Sequence, residues 1–504
     1  MNDKNGMNDK NGMNDVNEKN EKNGMNEKND VKYFLAVDIG ASGGRCILGW
    51  LENGRLMCQE INRFFNGMSK QGGHLCWNTN ILLAGIISGL RRCAEIGRIP
   101  VSVGIDTWGV DFVFLDENGR MTGDAVAYRD ERTNGMDTQT FACIPEHELY
   151  QRTGIQKLSF NTIFQLMAVK MSSPGFPKQA ESLLMMPDYL HYRLTGAVKT
   201  EYTIATTSGL VNAESKTWDD KIINACGFPR GIFREIAPPG TVLGDLLPEI
   251  QEQVGFNCQV ILPCTHDTGS AVMAAPSQGD EDTLYISSGT WSLLGVERLD
   301  PDCSETSMKA GFSNEGGYGY RYRYLKNIMG LWMIQSVRKD FLSECPSENS
   351  NDYSYEMFCE MAEQSKISSL VDCNDARFLA PENMSREIQK ACKESGEQVP
   401  EEPGEFAAVI FKSLAACYRD AIQSLERHTG VTYPAIHIVG GGSNNMPLNK
   451  LTAQYTGKTV CAGPTESTAI GNLTCQMIRK GEFSGLEEAR AVIRRSFEIK
   501  EVLP

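Results

Sequence analysis

The alternation of apolar and polar positions divides the chain into short strands around glycine-rich turns, with longer helical stretches between them. An apolar run at 33–37 is followed by Asp38-Ile39-Gly40-Ala41-Ser42-Gly43-Gly44-Arg45, and a second run covers 46–51. Asn53-Gly54 then signals a hairpin, because both residues tolerate the positive φ of a two-residue turn, and 55–62 returns as a third strand. Apolar residues at helical spacing predict a helix over 81–93. A second unit follows: a strand at 101–106, a break at Thr107-Trp108-Gly109 and a strand at 110–115. From 128 to about 239 the pattern is mixed and mostly helical, and it reads as an insertion at the ligand end of a first domain.

The second half begins at a junction. An apolar run at 260–262 ends at Pro263, His266-Asp267-Thr268 follow, and the small residues of 269–275 fit a tightly packed helix. Strands at 283–287 and 291–296 then flank the turn Ser288-Gly289-Thr290. The stretch 406–428 predicts a long amphipathic helix. A strand at 435–439 runs into Gly440-Gly441-Gly442-Ser443-Asn444-Asn445, Pro447 suits the first turn of the next helix, and 456–460 leads into a closing strand. Each half therefore holds a strand, a glycine-rich turn and a strand. This weak internal repeat predicts two related α/β domains facing a cleft.

The 504 residues are too many for one ordinary domain, and the junction near 275 divides them into 31–275 and 276–504. Residues 1–30 are a degenerate repeat rich in Asn, Asp, Lys, Glu and Gly, which cannot build a core and reads as a disordered tail. A formal net charge of −15 with no dense basic run argues against nucleic acid or anionic membranes as partners. No apolar stretch is long enough to span a bilayer and the polar N-terminal region lacks a signal-peptide core, so a cytoplasmic location is expected. The sixteen cysteines include no Cys-x-x-Cys pair and there are six histidines, which favours buried thiols over a zinc site.

Several positions carry candidate chemistry. Asp267 at a strand-to-helix junction is either a helix cap or an acid pointing into a cleft. The loop from Asp38 to Arg45 is either a plain hairpin turn or a phosphate cradle, in which glycines bring N–H groups close, Ser42 adds a hydroxyl and Arg45 a charge. Asp38 would be tolerated beside phosphates only through Mg²⁺ or its waters. The Ser288-Gly289-Thr290 turn is a weaker cradle, and the three glycines from Gly440 permit close approach of a flat ring such as adenine. A dinucleotide fingerprint is absent, and the Walker-like ending Gly457-Lys458-Thr459 has Thr452 where the first glycine must stand. Trp108 beside Gly109 is either a sugar platform or core packing.

In this order, the phosphate turns, the His266-Asp267-Thr268 junction and the triple glycine resemble the FGGY family of carbohydrate kinases. Longer passages extend the resemblance: Gly-Ile-Asp-Thr-Trp-Gly-Val-Asp-Phe at 104–112, Ala-Tyr-Arg-Asp-Glu-Arg-Thr-Asn-Gly at 127–135, Leu-Met-Met-Pro-Asp-Tyr at 184–189, Ser-Ser-Gly-Thr-Trp-Ser at 287–292, Leu-Lys-Asn-Ile-Met-Gly-Leu-Trp at 325–332 and Ile-Val-Gly-Gly-Gly at 438–442. They narrow it to the branch that acts on L-rhamnulose. The resemblance implies an α/β fold of two ribonuclease-H-like (actin-like ATPase) domains facing a catalytic cleft. It implies ATP-dependent phosphorylation of L-rhamnulose at the 1-hydroxyl, in L-rhamnose catabolism, with small molecules as the partners. Asp267 would be the proton acceptor, and Gly109, His266, Asp267, Thr268 and Asn327 would bind the sugar. Ala41, Ser42, Gly43, Gly44, Arg45, Thr290, Gln335 and Gly441 would hold ATP, with Mg²⁺ near Asp38 through water. Gly43 stands where relatives often have serine, so the cradle would lack one hydroxyl, and the tail before residue 31 has no counterpart in the family. A kinase for another ketose or polyol (xylulose, fuculose, glycerol) and a non-catalytic actin-like ATP switch are the alternatives. The intact His266-Asp267-Thr268 junction speaks against the switch.

Overall fold

Two sheets carry the fold, and their central strands are the most apolar stretches of the chain. The computed structural model describes residues 31–172, 179–276, 283–344 and 353–504, so the repeat at 1–30 lies outside them. The first sheet contains β1 (Tyr33–Gly40), β2 (Gly43–Glu52), β3 (Arg55–Phe65), β4 (Pro100–Thr107), β5 (Val242–Asp245) and β6 (Gln259–Ile261), in the order β5-β6-β4-β1-β2-β3. Strands β1, β2 and β3 are antiparallel neighbours, while β4 and β6 run parallel to β1. Strand β1 is buried along nearly its whole length, as a strand covered on both faces must be. Strand β3 lies at the edge and carries Arg55, Glu60 and Arg63, charges that discourage further pairing.

The second sheet contains β7 (Leu284–Ser288), β8 (Trp291–Arg298), β9 (Ser313–Gly316), β10 (Tyr322–Met329), β11 (Ala435–Val439), β12 (Thr459–Ala462) and β13 (Lys500–Val502). Its order is β9-β10-β8-β7-β11-β12-β13. Strands β7, β8 and β10 are antiparallel neighbours, and β11 and β12 run parallel to β7. Three antiparallel strands followed by two parallel ones thus occur in both sheets, in the same connection order. The repeated strand–turn–strand pattern of the sequence is this shared topology. Strand β9 is an addition at the edge, antiparallel to β10.

Most elements match the sequence pattern. The helix expected over 81–93 is Thr79–Glu95, capped by the Asn78 side chain. The long amphipathic helix is Pro403–Thr429, with Pro403 in its first turn, a Glu402–Glu405 capping box and Gly430 in the left-handed region after it. One expectation is corrected. The strand at 110–115 shortens to Phe112–Leu115 and does not join the first sheet, pairing instead with Ser182–Met185 in a separate two-stranded sheet. Val110 turns the chain away, because its φ of 69° is left-handed, a conformation that costs a β-branched residue about 1–3 kcal/mol. Hydrogen bonds hold it there: its N–H donates to Thr207 Oγ1 (3.1 Å), and its carbonyl accepts from Thr162 Oγ1 (2.6 Å) and Gln165 Nε2 (3.2 Å).

Residues Lys32–Pro504 form one compact unit. The helix Ser467–Arg479 follows the second sheet in sequence but packs on β1, β4 and the helix Asp267–Met273 of the first. Gly471 permits this, since a Cβ there would overlap the Ser270 backbone. Among the described residues no helix is long and apolar enough to cross a membrane.

Candidate active site

The two turns that follow β1 and β7 open onto one cleft of about 790 Å³, a size suited to small-molecule ligands. The cleft is lined by Asp38, Ala41, Ser42, Gly43 and Arg45 from the first sheet and by Gly109 after β4. It is also lined by His266, Asp267 and Thr268, and from the second sheet's side by Thr290, Asn327, Gln335 and Gly441. Every residue that the resemblance assigns to the sugar, ATP or Mg²⁺ is therefore at this cleft except Gly44. Gly44 is buried behind it in β2, where a Cβ would overlap the Phe64 ring.

Asp267 is the first residue of its helix, and the capping position belongs to His266, whose side chain makes no cap bond. The Asp267 carboxylate folds back instead. Its Oδ1 accepts from Thr268 N (2.6 Å) and Thr268 Oγ1 (3.2 Å), and His266 Nε2 lies 3.5 Å away. Oδ2 is the oxygen left to take a proton. Burial raises the Asp267 pKa, the Asp38 charge adds to that, and the Thr268 bonds oppose it.

The loop carrying Asp267 is fixed from below by Glu201. That buried carboxylate accepts from Thr265 N (3.1 Å), Thr265 Oγ1 (2.7 Å) and Thr203 Oγ1 (2.5 Å), and Thr203 Oγ1 in turn accepts from His266 N (3.2 Å). Glu201 also caps the short helix Tyr202–Thr206. One acid thus ties the insertion to the end of the first sheet.

Asp38 and Asp106 are cross-strand neighbours on β1 and β4. Asp38 Oδ2 accepts from Arg45 Nη2 (2.7 Å), and Arg45 also pairs with Glu466. Asp106 is fully buried, and its Oδ2 accepts from Asn472 Nδ2 (2.6 Å). Its Oδ1 has no hydrogen-bond partner among the described residues, and Asp38 stands opposite it in register. Burial, the Asp38 charge and the Asp267 charge all push the Asp106 pKa well above the carboxylate range, which favours its protonated form.

Trp108 is packed in the core and presents only part of its surface to the cleft. It packs against Trp77 with ring centroids 4.2 Å apart and planes tilted by 42°, and both indole N–H groups donate to Asp111 Oδ2, at 2.9 and 2.6 Å. Gly109 needs to be small, because a Cβ would come within 3.3 Å of His266 Nε2. Asn327 reaches the cleft from β10, and its N–H and Nδ2 both donate to Gln156 Oε1, at 3.2 and 3.0 Å. Glu315 on β9 also lines the cleft, and nothing in its sequence setting marks it. Burial would raise its pKa, but the Arg323 guanidinium, with help from Asn327, outweighs that and holds it at about 2.

The three glycines after β11 have separate roles. Gly440 has φ 86° and its Cβ would sit 3.0 Å from the Ser288 carbonyl, and a Cβ on Gly442 would overlap Ser288 Oγ. A Cβ on Gly441 would meet nothing within 4 Å, so this residue faces open cleft.

Two segments match models of known domains: residues 33–274 match the N-terminal domain, and 284–479 the C-terminal domain, of the FGGY family of carbohydrate kinases. The chain belongs to that family and is a carbohydrate kinase of the actin-like ATPase fold. It is 48 % identical to the rhamnulokinase of Oceanobacillus iheyensis over 465 residues, covering 92 % of this chain and 97 % of the relative. It is 40 % identical to the rhamnulokinase of Bacillus subtilis, covering 94 % and 95 %. Among solved structures, a ligand-bound xylulose kinase from Lactobacillus acidophilus aligns with a TM-score of 0.75 at 15 % identity, over 94 % of both chains. Plasmodium falciparum glycerol kinase with ADP aligns with a TM-score of 0.72 at 14 % identity, over 93 % and 94 %. At such identities these two structures speak for the fold alone.

Proposed function

We propose that this kinase transfers the γ-phosphoryl group of ATP to the 1-hydroxyl of L-rhamnulose, giving ADP and L-rhamnulose 1-phosphate in L-rhamnose breakdown. The observation that carries the substrate is the 40–48 % identity, along nearly the whole chain, to proteins named rhamnulokinase. In this reading residues 31–275 and 276–504 are the two halves of the kinase, with Asp267 at their junction.

Phosphoryl transfer needs positioning, charge neutralisation and a destination for the hydroxyl proton. Asp267 Oδ2 takes that proton as the new O–P bond forms and the bond to the ADP oxygen breaks. A carboxylate with a raised pKa is a better base for this late transfer than an ordinary one. Gly109, His266, Thr268 and Asn327 surround the sugar, and the buried Glu315 carboxylate adds an acceptor for its hydroxyls. Backbone N–H groups of 41–43 and 289–290 and the Arg45 guanidinium bind the phosphates, and Gln335 and Gly441 complete the nucleotide side.

Among the described residues no cluster of three or more His, Cys, Asp or Glu is placed to cage a metal. This donor set does not fit an all-protein cage. It does fit Mg²⁺, which keeps several waters and takes most of its other ligands from phosphate oxygens. Asp38 would hold the hydrated ion, and the ion would neutralise charge on the β- and γ-phosphates. Asp106 and Arg45 keep Asp38 in place.

The test is ADP release with Mg-ATP in the presence of L-rhamnulose, L-xylulose, L-fuculose or glycerol. Stimulation by L-rhamnulose well above the others is expected. Preference for another sugar would overturn the substrate, and ATP binding with no sugar-stimulated turnover would overturn the kinase mechanism.

A further inference from the structure

The His266 ring is held from the opposite side of the cleft by a cross-strand charge pair. Glu315 on β9 and Arg323 on β10 are direct partners in register. Arg323 is fully buried, and its Nε donates to the Gly316 carbonyl (2.8 Å). Its Nη2 lies 3.0 Å from Glu315 Oε2 and 2.9 Å from His266 Nδ1. A guanidinium has five donors and no acceptor, and it does not lose its proton in a protein. The contact with His266 can therefore form in one way only: Arg323 donates and Nδ1 accepts with its lone pair. The imidazole must then be neutral with its proton on Nε2. That nitrogen faces Gly109, whose Cβ would lie 3.3 Å from it, and lies 3.5 Å from Asp267 Oδ1.

The structure assigns Arg323 as a positioning residue that sets the His266 tautomer, so that Nε2–H is presented as a donor to a sugar oxygen beside the catalytic carboxylate. The inference rests on the reading of His266 as a sugar ligand. Two acids approach the ring: Glu315 Oε2 lies 3.4 Å from Nδ1, and Asp267 lies beside Nε2. Without Arg323, Glu315 would draw a proton onto Nδ1. The ring would then become a cation beside Asp267, or the opposite tautomer with a bare Nε2 towards the sugar. Arg323 occupies the Nδ1 lone pair and neutralises Glu315 in the same contact. Glu297, the other acid opposite Arg323 in register, is itself bonded to Arg490 (2.5 Å) and leaves Arg323 to this pair. A sugar oxygen thus meets one donor, Nε2–H, and one acceptor, Asp267 Oδ2, in a fixed arrangement.

The experiment uses the full-length protein with ¹⁵N-labelled histidine. The His266 signals are identified by their loss in His266→Ala, and the wild type should show an unprotonated Nδ1 and a protonated Nε2. Arg323→Met should shift the ring toward a protonated Nδ1 and raise the KM for the sugar roughly tenfold, the equivalent of one well-placed hydrogen bond, with the KM for ATP unchanged. Arg323→Lys, another group that only donates, should restore part of both. Because Arg323→Met leaves the Glu315 carboxylate buried and unpaired, Arg323→Met/Glu315→Gln serves as the neutral partner variant. It should fold and lose the single-tautomer signature. An Nδ1-protonated ring in the wild type, or a ring unchanged in both Arg323→Met and Arg323→Met/Glu315→Gln, overturns the assignment. If the sugar KM rises in His266→Ala but not in Arg323→Met, the positioning role falls alone. If it rises in neither, the reading of His266 as a sugar ligand falls with it.

Discussion

Replacing Gly441 with valine should weaken ATP binding and leave the fold intact, and the structure separates these effects at one site. Of the three consecutive glycines, two are required by the protein itself. Gly440 has φ 86° and lies against the Ser288 carbonyl, and Gly442 leaves no room for a Cβ beside Ser288 Oγ. Gly441 has no left-handed backbone, and its Cβ would stand more than 4 Å from any other part of the protein while lining the cleft. A Cβ there meets open cleft, so a valine would crowd the nucleotide that the proposed function places against it. Overpacking a well-fitted contact costs about 1–3 kcal/mol, which is roughly a 5- to 150-fold rise in the KM for ATP. The assay is coupled ADP release across an ATP titration at saturating sugar, with a thermal melt of the same preparation. The melt of Gly441→Val should overlay the wild type, whereas Gly442→Ala should melt lower by about 1–3 kcal/mol of stability because its Cβ collides with Ser288. An unchanged KM for ATP in a folded Gly441→Val protein would refute the placement of the nucleotide against this residue.

Three further outcomes follow from the carboxylates. Asp267→Asn should lower kcat about 10²- to 10⁴-fold with no loss of melting temperature, and near-normal turnover would remove Asp267 from the role of base. Because burial raises the pKa of Asp267 and the base must be ionised to act, kcat/KM should fall on acidification with a midpoint above the ordinary value of about 4. A profile flat down to that value would contradict the geometry. Asp106 carries its proton in the folded state and loses it near pH ~4 when unfolded, so the native protein loses stability as pH rises from there toward the raised pKa. Asp106→Asn mimics the protonated acid. It should keep activity and gain at most about 1.4 kcal/mol on the wild type per pH unit across that window, measured by denaturant melts at several pH values. Loss of activity with the fold retained would mean that Asp106 acts as an anion.

What could be read from the sequence was whatever is encoded by neighbouring residues. The buried strands β1 and β7 show as apolar runs, their turns as glycines, and the Asn53-Gly54 hairpin as a dipeptide with a backbone reason. Most candidate residues sit at strand ends or in the turns beyond them, so locating the strands located the cleft, while Asn327 within β10 and Gln335 on the helix Trp332–Glu344 come from elsewhere. The strand expected at 110–115 failed because the sequence does not mark Val110 as left-handed. With Gly109 beside it, the glycine is the natural place to expect the turn, and Val110 is held there by donating to Thr207 and accepting from Thr162 and Gln165.

The electrostatics of the site were out of reach for a different reason. The charge pattern around Asp267 is assembled across long separations: Glu201 from the insertion, Asn472 from a helix of the second half, and the Glu315–Arg323 pair from an added edge strand. None has a local signature, since Glu315 sits in a plain glycine-flanked strand and Gly471 looks like an ordinary helix interruption. Gly471 instead lets the Ser467–Arg479 helix press against the Ser270 backbone and deliver Asn472 to Asp106. The local pattern therefore specifies where a base can stand. The returning helix and the edge hairpin decide which of the acids around it are ionised, and so which one can act as the base.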